Sequence, residues 1–283
     1  MTTSAAAAAG REREFELGDA EFETIRRLVG ERTGIVLSDA KRDMVYGRLA
    51  RRLRALGLRS FGDYLARLLD GDAEEMVAFT NALTTNLTAF FREAHHFDYL
   101  QQTLLPTLLR EKRQRRLRIW SAGCSTGEEP YSIAMVVRET VPDDWDAKIL
   151  ATDLDSDVVS HAREGIYRAE RVEGLSRERL RRWVRRGRGD KAHLVRMAPA
   201  LREIITFKTL NLMESWPMRG PFDLIFCRNV VIYFSKETQR VLFDRFADYL
   251  PSGGHLFIGH SESLHRVSDR FRLLGQTIYR KVK

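Results

Sequence analysis

Cysteine is scarce: Cys124 and Cys227 are the only two in 283 residues. That excludes a disulfide framework, and their spacing offers no metal site, so a reducing compartment and a cytoplasmic location are expected. No stretch approaches the roughly 18 consecutive apolar residues of a membrane-spanning helix, so membrane insertion is not expected. The opening "MTTSAAAAAGRERE" lacks a basic segment ahead of a long apolar core, and residues 1–14 read as a disordered tail, not a signal peptide. Acid is in deficit: 39 Asp+Glu against 47 Lys+Arg leave a net charge of +8. That balance favours an anionic partner, whether nucleic acid, membrane surface or acidic protein, without choosing among them.

Residues 15–83 are strand-poor and helically patterned. Phe22, Ile25, Leu28 and Val29 recur at helical spacing before Gly30 or Gly34. A second helix opens at Ser38 or Asp39, runs Val45, Leu49, Leu53 and Leu56 down one face and ends at Gly57. "SFGDYLARLLDGD" and "AEEMVAFTNAL" read as two more helices, making a small all-helical domain. From Leu117 the texture changes. "LRIWSAG", "KILATDLD", "IITFKTLNL", "FDLIFCRNVVIYF", "HLFIGH" and "QTIYRKVK" read as strands, with helices such as "PYSIAMVVRET" between them. The alternation predicts an α/β domain over 84–283, a doubly wound, mostly parallel sheet closed by an antiparallel strand. Residues 165–205 are arginine-rich and too long for one crossover, so they form an inserted subdomain.

The turn "SAGCSTGEE" ends the first strand. It matches neither a dinucleotide fingerprint nor a phosphate loop, because Glu128 follows Gly127 where a phosphate binder carries lysine. Such a turn still marks a ligand crevice, and Asp153, ending the next strand, suits two ribose hydroxyls. A ribose without a phosphate cradle indicates a nucleoside. One bearing positive charge would accept Glu128 nearby, and S-adenosylmethionine is such a ligand. The plainer role for Glu128 is an acid favoured at a helix N-terminus.

Two further segments carry polar groups of interest, and those of the second are expected to face the same crevice. "TTNLTAFFREAHHF" joins the helical domain to the sheet and reads most simply as a helix cap with a buried aromatic pair. Its His95 and His96, being adjacent, are expected to point apart and not to ligate metal. "FDLIFCRNVVIYF" presents Arg228, Asn229 and Tyr233 at a strand exit. Cys124 and Cys227 end strands expected to be neighbours, which leaves open an approach of their thiols and oxidative blocking of the site.

Together "TTNLTAFFRE", "STGEEPYSIA", "ATDLD", Asn211-Leu212, "FDLIFCRNVVIYF" and "GHSESL" resemble the chemotaxis receptor methyltransferase (CheR) family, from the helical region to the last strand. The resemblance implies a sheet of the S-adenosylmethionine methyltransferase type and an inserted subdomain of β structure. It implies methyl transfer from S-adenosylmethionine to glutamate side chains on chemoreceptor cytoplasmic helices, leaving S-adenosylhomocysteine. It places Asn86, Thr88, Arg92, Glu128, Asp153, Asn211, Leu212, Arg228 and Asn229 around the cofactor, with Arg92 and Tyr233 nearest the transferred methyl. No metal is required and a monomer is expected.

On this reading the basic run from Lys41 to Arg59, with Lys41, Arg48 and Arg52 on one face, would attract glutamate-rich receptor helices; a solvated face is the alternative. "RRGRGDKAHLVRM" (Arg185–Met197) resembles the loop with which some members dock a receptor's C-terminal pentapeptide. A nucleic-acid or small-molecule methyltransferase with the same sheet is the first competing reading, but "RNVVIYF" lacks the proline-rich turn of an adenine methylase and the N-terminal region lacks a stacking platform. A cofactor-binding scaffold without turnover is the second.

Overall fold

The structure, a computed structural model, describes residues 13–283. They divide into two compact units: residues up to Val29 with Leu37–Leu83, and Gly30–Val36 with Thr84–Lys283. The first unit is helical. α1 (Asp19–Thr33) buries Phe22, Ile25, Leu28 and Val29 and ends at Gly34, whose φ of +74° is the left-handed conformation suited to a helix C-terminus. A 3-10 turn (Asp39–Lys41) precedes α2 (Arg42–Leu56), so α2 starts later than its expected cap; Ser38 makes no side-chain capping bond. Val45, Leu49 and Leu53 are fully buried along α2. Ser60 caps α3 (Phe61–Leu69) by accepting the Asp63 amide at 3.0 Å, and α4 (Ala73–Leu83) follows. Residues 1–12 of the expected tail lie outside the described residues, while Arg13 and Glu14 pair with Asp43 and Arg54.

In the second unit, α5 (Ala94–Tyr99) passes through a π turn into α6 (Leu105–Glu111). There follow β1 (Arg116–Ala122), α7 (Glu128–Thr140), β2 (Asp146–Asp153) and α8 (Ser156–Glu164). The insertion holds β3 (Ile166–Arg168), α9 (Arg177–Trp183), β4 (Val184–Arg186) and β5 (Leu194–Met197). α10 (Pro199–Arg202), β6 (Ile205–Thr209), β7 (Leu224–Cys227), α11 (Lys236–Asp248), β8 (His255–Ile258), β9 (Phe271–Gly275) and β10 (Ile278–Lys281) complete the chain.

The main sheet has the order β6-β2-β1-β7-β8-β10-β9. Pairing is parallel from β6 to β8, and β10 runs antiparallel to β8 and β9. Both faces are covered, and the strands alternate between them. Leu117, Ile119, Leu224, Phe226 and Phe257 enter one core with α5 and α7. Trp120, Ile225, Leu256 and Ile258 enter the other with Phe243 and Phe246 of α11. The insertion is a three-stranded antiparallel sheet, β3-β5-β4. Among the described residues no helix is long and apolar enough to cross a membrane.

Three expectations are corrected. The strand in "FDLIFCRNVVIYF" is only Leu224–Cys227; Asn229 takes a φ of +58° and Val231–Tyr233 form a 3-10 turn. The last strand has an unforeseen partner, β9, across a turn where Gln276 and Thr277 hold φ of +46° and +61°. Asn-Gly is the usual sequence for such a turn, so nothing in the chain announced it. Cys124 and Cys227 pack in opposite cores, and burial pushes both thiols well above their ordinary pKa, so they are neither joined nor reactive.

Candidate active site

Strand order reverses at β1, with β2 on one side and β7 on the other, and ligands bind open α/β sheets at such a point, beyond the strands' carboxyl ends. The turn after β1 lies there. Gly123 and Cys124 donate their amides to Thr152 O (2.8 and 2.9 Å), fastening the turn to the end of β2. Gly123 has φ +89°, and a Cβ on it would stand 2.3 Å from Val230 Cγ2, so only glycine lets the turn pass the segment after β7. Asp153 accepts the Ser125 amide at 2.7 Å and the Asp155 amide at 3.0 Å. Burial pushes its carboxyl up to about 6 despite these bonds.

The segment from Thr84 to Arg92 is bound down along its length. Thr84 and Asn86 both donate side-chain bonds to Asp155 (2.7 and 2.8 Å), which also caps α8. Ser125 donates to Asn86 O at 3.0 Å, and the Phe91 amide to Ser132 Oγ at 2.9 Å. Arg171 of the insertion donates to Thr88 O at 2.7 Å, and Arg92 donates to Leu87 O at 2.9 Å. Asn86 thus sits beside the turn that holds Ser125, with its side-chain amide directed to Asp155.

The two glutamates of "STGEE" part company. Glu128, 1% exposed, accepts from Thr126 and pairs with Arg171. The counter-charge expected of Glu128 is therefore already matched within the protein. Glu129 accepts from Ser121 at 2.7 Å and from Arg228 at 3.1 Å. Burial raises the Glu129 pKa and Arg228 opposes that rise. Arg228 also donates to Arg92 O and lies 3.3 Å from Glu93. Its guanidinium therefore locks the segment ending at Arg92 onto the sheet.

After β7, Asn229 and Val231 donate backbone amides to Glu262, each at 3.0 Å, and Gln239 donates to Val231 O at 2.8 Å. This turn carries the half-buried Tyr233, whose carbonyl accepts from Val36 N at 2.8 Å. Asn211 donates to Arg32 O at 2.6 Å and its Oδ1 accepts the Met213 amide, while Leu212 is buried against the α11 core. Both follow β6.

Of the cations singled out in the helical unit, Arg52 is committed to Glu75 by two bonds, and Tyr64 donates to the same carboxylate at 2.7 Å. Arg48 donates to Ala82 O. Arg51, Arg54 and Arg59 are exposed, whereas Lys41, Arg48 and Arg52 are half-buried. His95 and His96 do not point apart; their ring centroids are 4.2 Å apart, and with Glu93 their ligating atoms fall within 4.8 Å of one another. The Glu93 backbone is left-handed (φ +58°), and His96 is anchored through Nε2 to Gln276 O, which turns the rings together. Arg228 lies 3.3 Å from Glu93 Oε2, the oxygen that His96 Nδ1 also faces at 3.6 Å.

Glu93, Glu129, Arg171, His260 and Glu262 escaped attention in the sequence. All but Arg171 lie in stretches that resemble the family, but their partners are up to 167 residues away and no periodicity pairs them.

A crevice at the reversal of a parallel sheet, with a carboxylate at the end of β2 and a turn after β1 that carries no phosphate-loop lysine, is compatible with a nucleoside cofactor. Residues 86–280 match the family "CheR methyltransferase, SAM binding domain" and residues 20–84 match "CheR methyltransferase, all-alpha domain". The chemotaxis protein methyltransferase of Escherichia coli K12 is 48% identical over 93% of this chain and 91% of its own. That of Salmonella typhimurium LT2 is also 48% identical, covering 93% and 90%. Chemotaxis protein methyltransferase 2 of Pseudomonas aeruginosa is 44% identical across 99% of both chains. The chain belongs to the CheR methyltransferase family, and S-adenosylmethionine is its cofactor. It is a methyltransferase of chemotaxis.

Proposed function

We propose that the protein methylates glutamate side chains on the cytoplasmic helices of chemoreceptors, tuning chemotactic adaptation. The observation that carries this reading is the state of the acids around the crevice. Glu128 is matched by Arg171, Glu129 by Arg228, and Asp155 by Thr84 and Asn86. Asp153 accepts from two backbone amides. An amine or hydroxyl nucleophile would need a base to remove its proton. A glutamate, with a pKa near ~4.3, is already anionic at neutral pH and needs none.

S-adenosylmethionine supplies a methyl on a sulfonium, which leaves as a neutral thioether. The protein's part is alignment, bringing the incoming oxygen within about 3 Å and in line. Arg92 holds the substrate carboxylate through its fork of donors, and Tyr233 hydrogen-bonds the same group or walls the methyl's surroundings. Asp153 receives the ribose hydroxyls, and Asn86, Thr88, Glu128, Asn211, Leu212, Arg228 and Asn229 shape or buttress the cofactor's enclosure. The arginine-rich face of the helical unit, including Lys41, Arg48 and Arg52, draws in acidic receptor helices; Arg51 and Arg59 are exposed members of the run, while Arg54 is paired with Glu14.

Arg92→Ala and Tyr233→Phe test the reading. Transfer to receptor membranes should fall at least ~10²-fold while calorimetry finds S-adenosylmethionine binding weakened by less than ~10-fold. Retained transfer in both variants would remove these residues from the chemistry. The insertion also presents β4 as an edge strand with Arg185 and Arg186 exposed, a geometry that accepts an extended peptide as an added strand. Calorimetry with a receptor's C-terminal pentapeptide tests that docking; no heat at millimolar peptide would remove it.

A further inference from the structure

The segment Gly259–Glu262, "GHSE", follows β8. It touches both segments that carry the proposed chemistry. The His260 amide donates to Glu93 Oε1 at 3.2 Å, and its ring Nδ1 lies 2.7 Å from the same oxygen. Glu93 follows Arg92 directly. Its other oxygen faces Arg228, whose guanidinium donates to Arg92 O. Burial opposes ionisation of Glu93, but His260 and Arg228 overcome it and hold the carboxyl down at about 2.

Two residues further on, buried Glu262 accepts the amides of Asn229, Val231 and its own Gly259. Asn229 and Val231 belong to the turn that carries Tyr233. The approach is close: a Cβ on Gly259 would stand 2.3 Å from Asn229 Nδ2 and 2.9 Å from its backbone nitrogen. One four-residue segment therefore grips the Arg92 arm at one end and the Tyr233 arm at the other.

We propose that Gly259–Glu262 is a brace that sets the spacing of Arg92 and Tyr233, with His260 and Glu262 as positioning residues. The proposal rests on the reading that those two residues meet the incoming carboxylate. A displacement of about 1 Å at such a site costs on the order of 10²-fold in rate. Glu262 is suited to the task because an ionised carboxylate accepts at both oxygens; a glutamine would turn one acceptor into a donor facing an amide.

The test uses the full chain, labelled S-adenosylmethionine and receptor membranes, with His260→Ala and Glu262→Gln. The His260 side chain is largely exposed, so its replacement should leave folding intact. The expected result is a fall of ~10–100-fold in kcat, with KM for receptor and calorimetric affinity for the cofactor changed less than ~3-fold. The His260→Ala loss should vanish in an Arg92→Ala background, and the Glu262→Gln loss in a Tyr233→Phe background, because each acts through that arm. Unchanged kcat, losses that simply add, or a matching loss of cofactor affinity would overturn the brace. If Glu262→Gln fails to fold, His260→Ala and its cycle with Arg92 decide alone. If Arg92→Ala and Tyr233→Phe collapse transfer and His260→Ala does not, the brace alone fails; if neither of the first two matters, both proposals fall.

Discussion

Asp153 ends β2 with a carboxylate oxygen 2.7 Å from the amide of Ser125, on the turn that leaves the neighbouring strand. One side chain thereby fixes the turn and lies at the carboxyl edge of the sheet where a ribose would bind. On the proposed reading, its burial makes cofactor binding depend on pH.

With its carboxyl pushed up to about 6, Asp153 loses its charge as pH falls through that value, and with it half its capacity to accept two hydroxyls. Affinity for S-adenosylmethionine should be several-fold weaker at pH 5.5 than at pH 7.5. The contribution to stability has the opposite sign. A carboxyl raised from an unfolded value near ~3.9 binds its proton more tightly in the folded chain, so it disfavours the fold above about pH 6 and this cost fades as pH falls toward ~4. Asp153→Asn should therefore weaken cofactor binding at pH 7.5, and it should lower the melting temperature of the free protein, because its NH2 would face one of the two amides, Ser125 or Asp155, that the carboxylate accepts. Calorimetry and thermal melting read the two effects separately.

Arg171 ties the insertion to the cofactor turn through Glu128 and to the neighbouring loop through Thr88 O. Arg171→Ala leaves Glu128 buried without its cation. Affinity for S-adenosylmethionine should fall ~10-fold or more, by calorimetry, and Arg171→Lys should restore much of it because both bonds come from the single nitrogen Nη2, whose place an ammonium can take.

In the helical unit Arg52, Glu75 and Tyr64 form a partly enclosed triad. Burial opposes ionisation of Glu75, yet the bonds from Arg52 and Tyr64 lower its pKa overall. Glu75→Ala should destabilise this unit by ~2–3 kcal/mol in denaturant melts, below the ~3–5 kcal/mol of a fully buried pair because Arg52 keeps some access to water. Charge reversal at exposed Arg51 and Arg59 should leave stability nearly unchanged and slow association with receptor membranes, most clearly at low salt.

Cys124 and Cys227 lie in opposite cores with thiol pKa values raised by burial. Mild oxidant should leave transfer unchanged, and Cys124→Ala with Cys227→Ala should respond no differently; a loss of rate that reductant restores in the parent chain alone would contradict this placement.

The parallel core was legible because Ile119, Ile149, Leu224 and Leu256 lie in short apolar runs bounded by turns, which few structures other than buried strands satisfy. Gly123, Asp153 and the α7 N-terminus were legible for a related reason: their roles follow from position at a strand end. What lay hidden depends on distant partners. Arg171 meets Glu128, Arg228 meets Glu93 and Glu129, and Glu262 gathers the amides after β7. Each is a charge whose meaning is set by burial beside a residue remote in the chain, and local pattern holds no record of that. β9 was missed because Gln276 and Thr277 adopt a turn their side chains do not advertise.

The most direct measurement incubates the protein with methyl-labelled S-adenosylmethionine and membranes containing chemoreceptors, then treats the product with mild base and counts volatile methanol. Glutamate esters are base-labile, so label on receptor-sized bands should be released as methanol, and Arg92→Ala should abolish it. Label that survives base would place the methyl on nitrogen or nucleic acid and contradict the account.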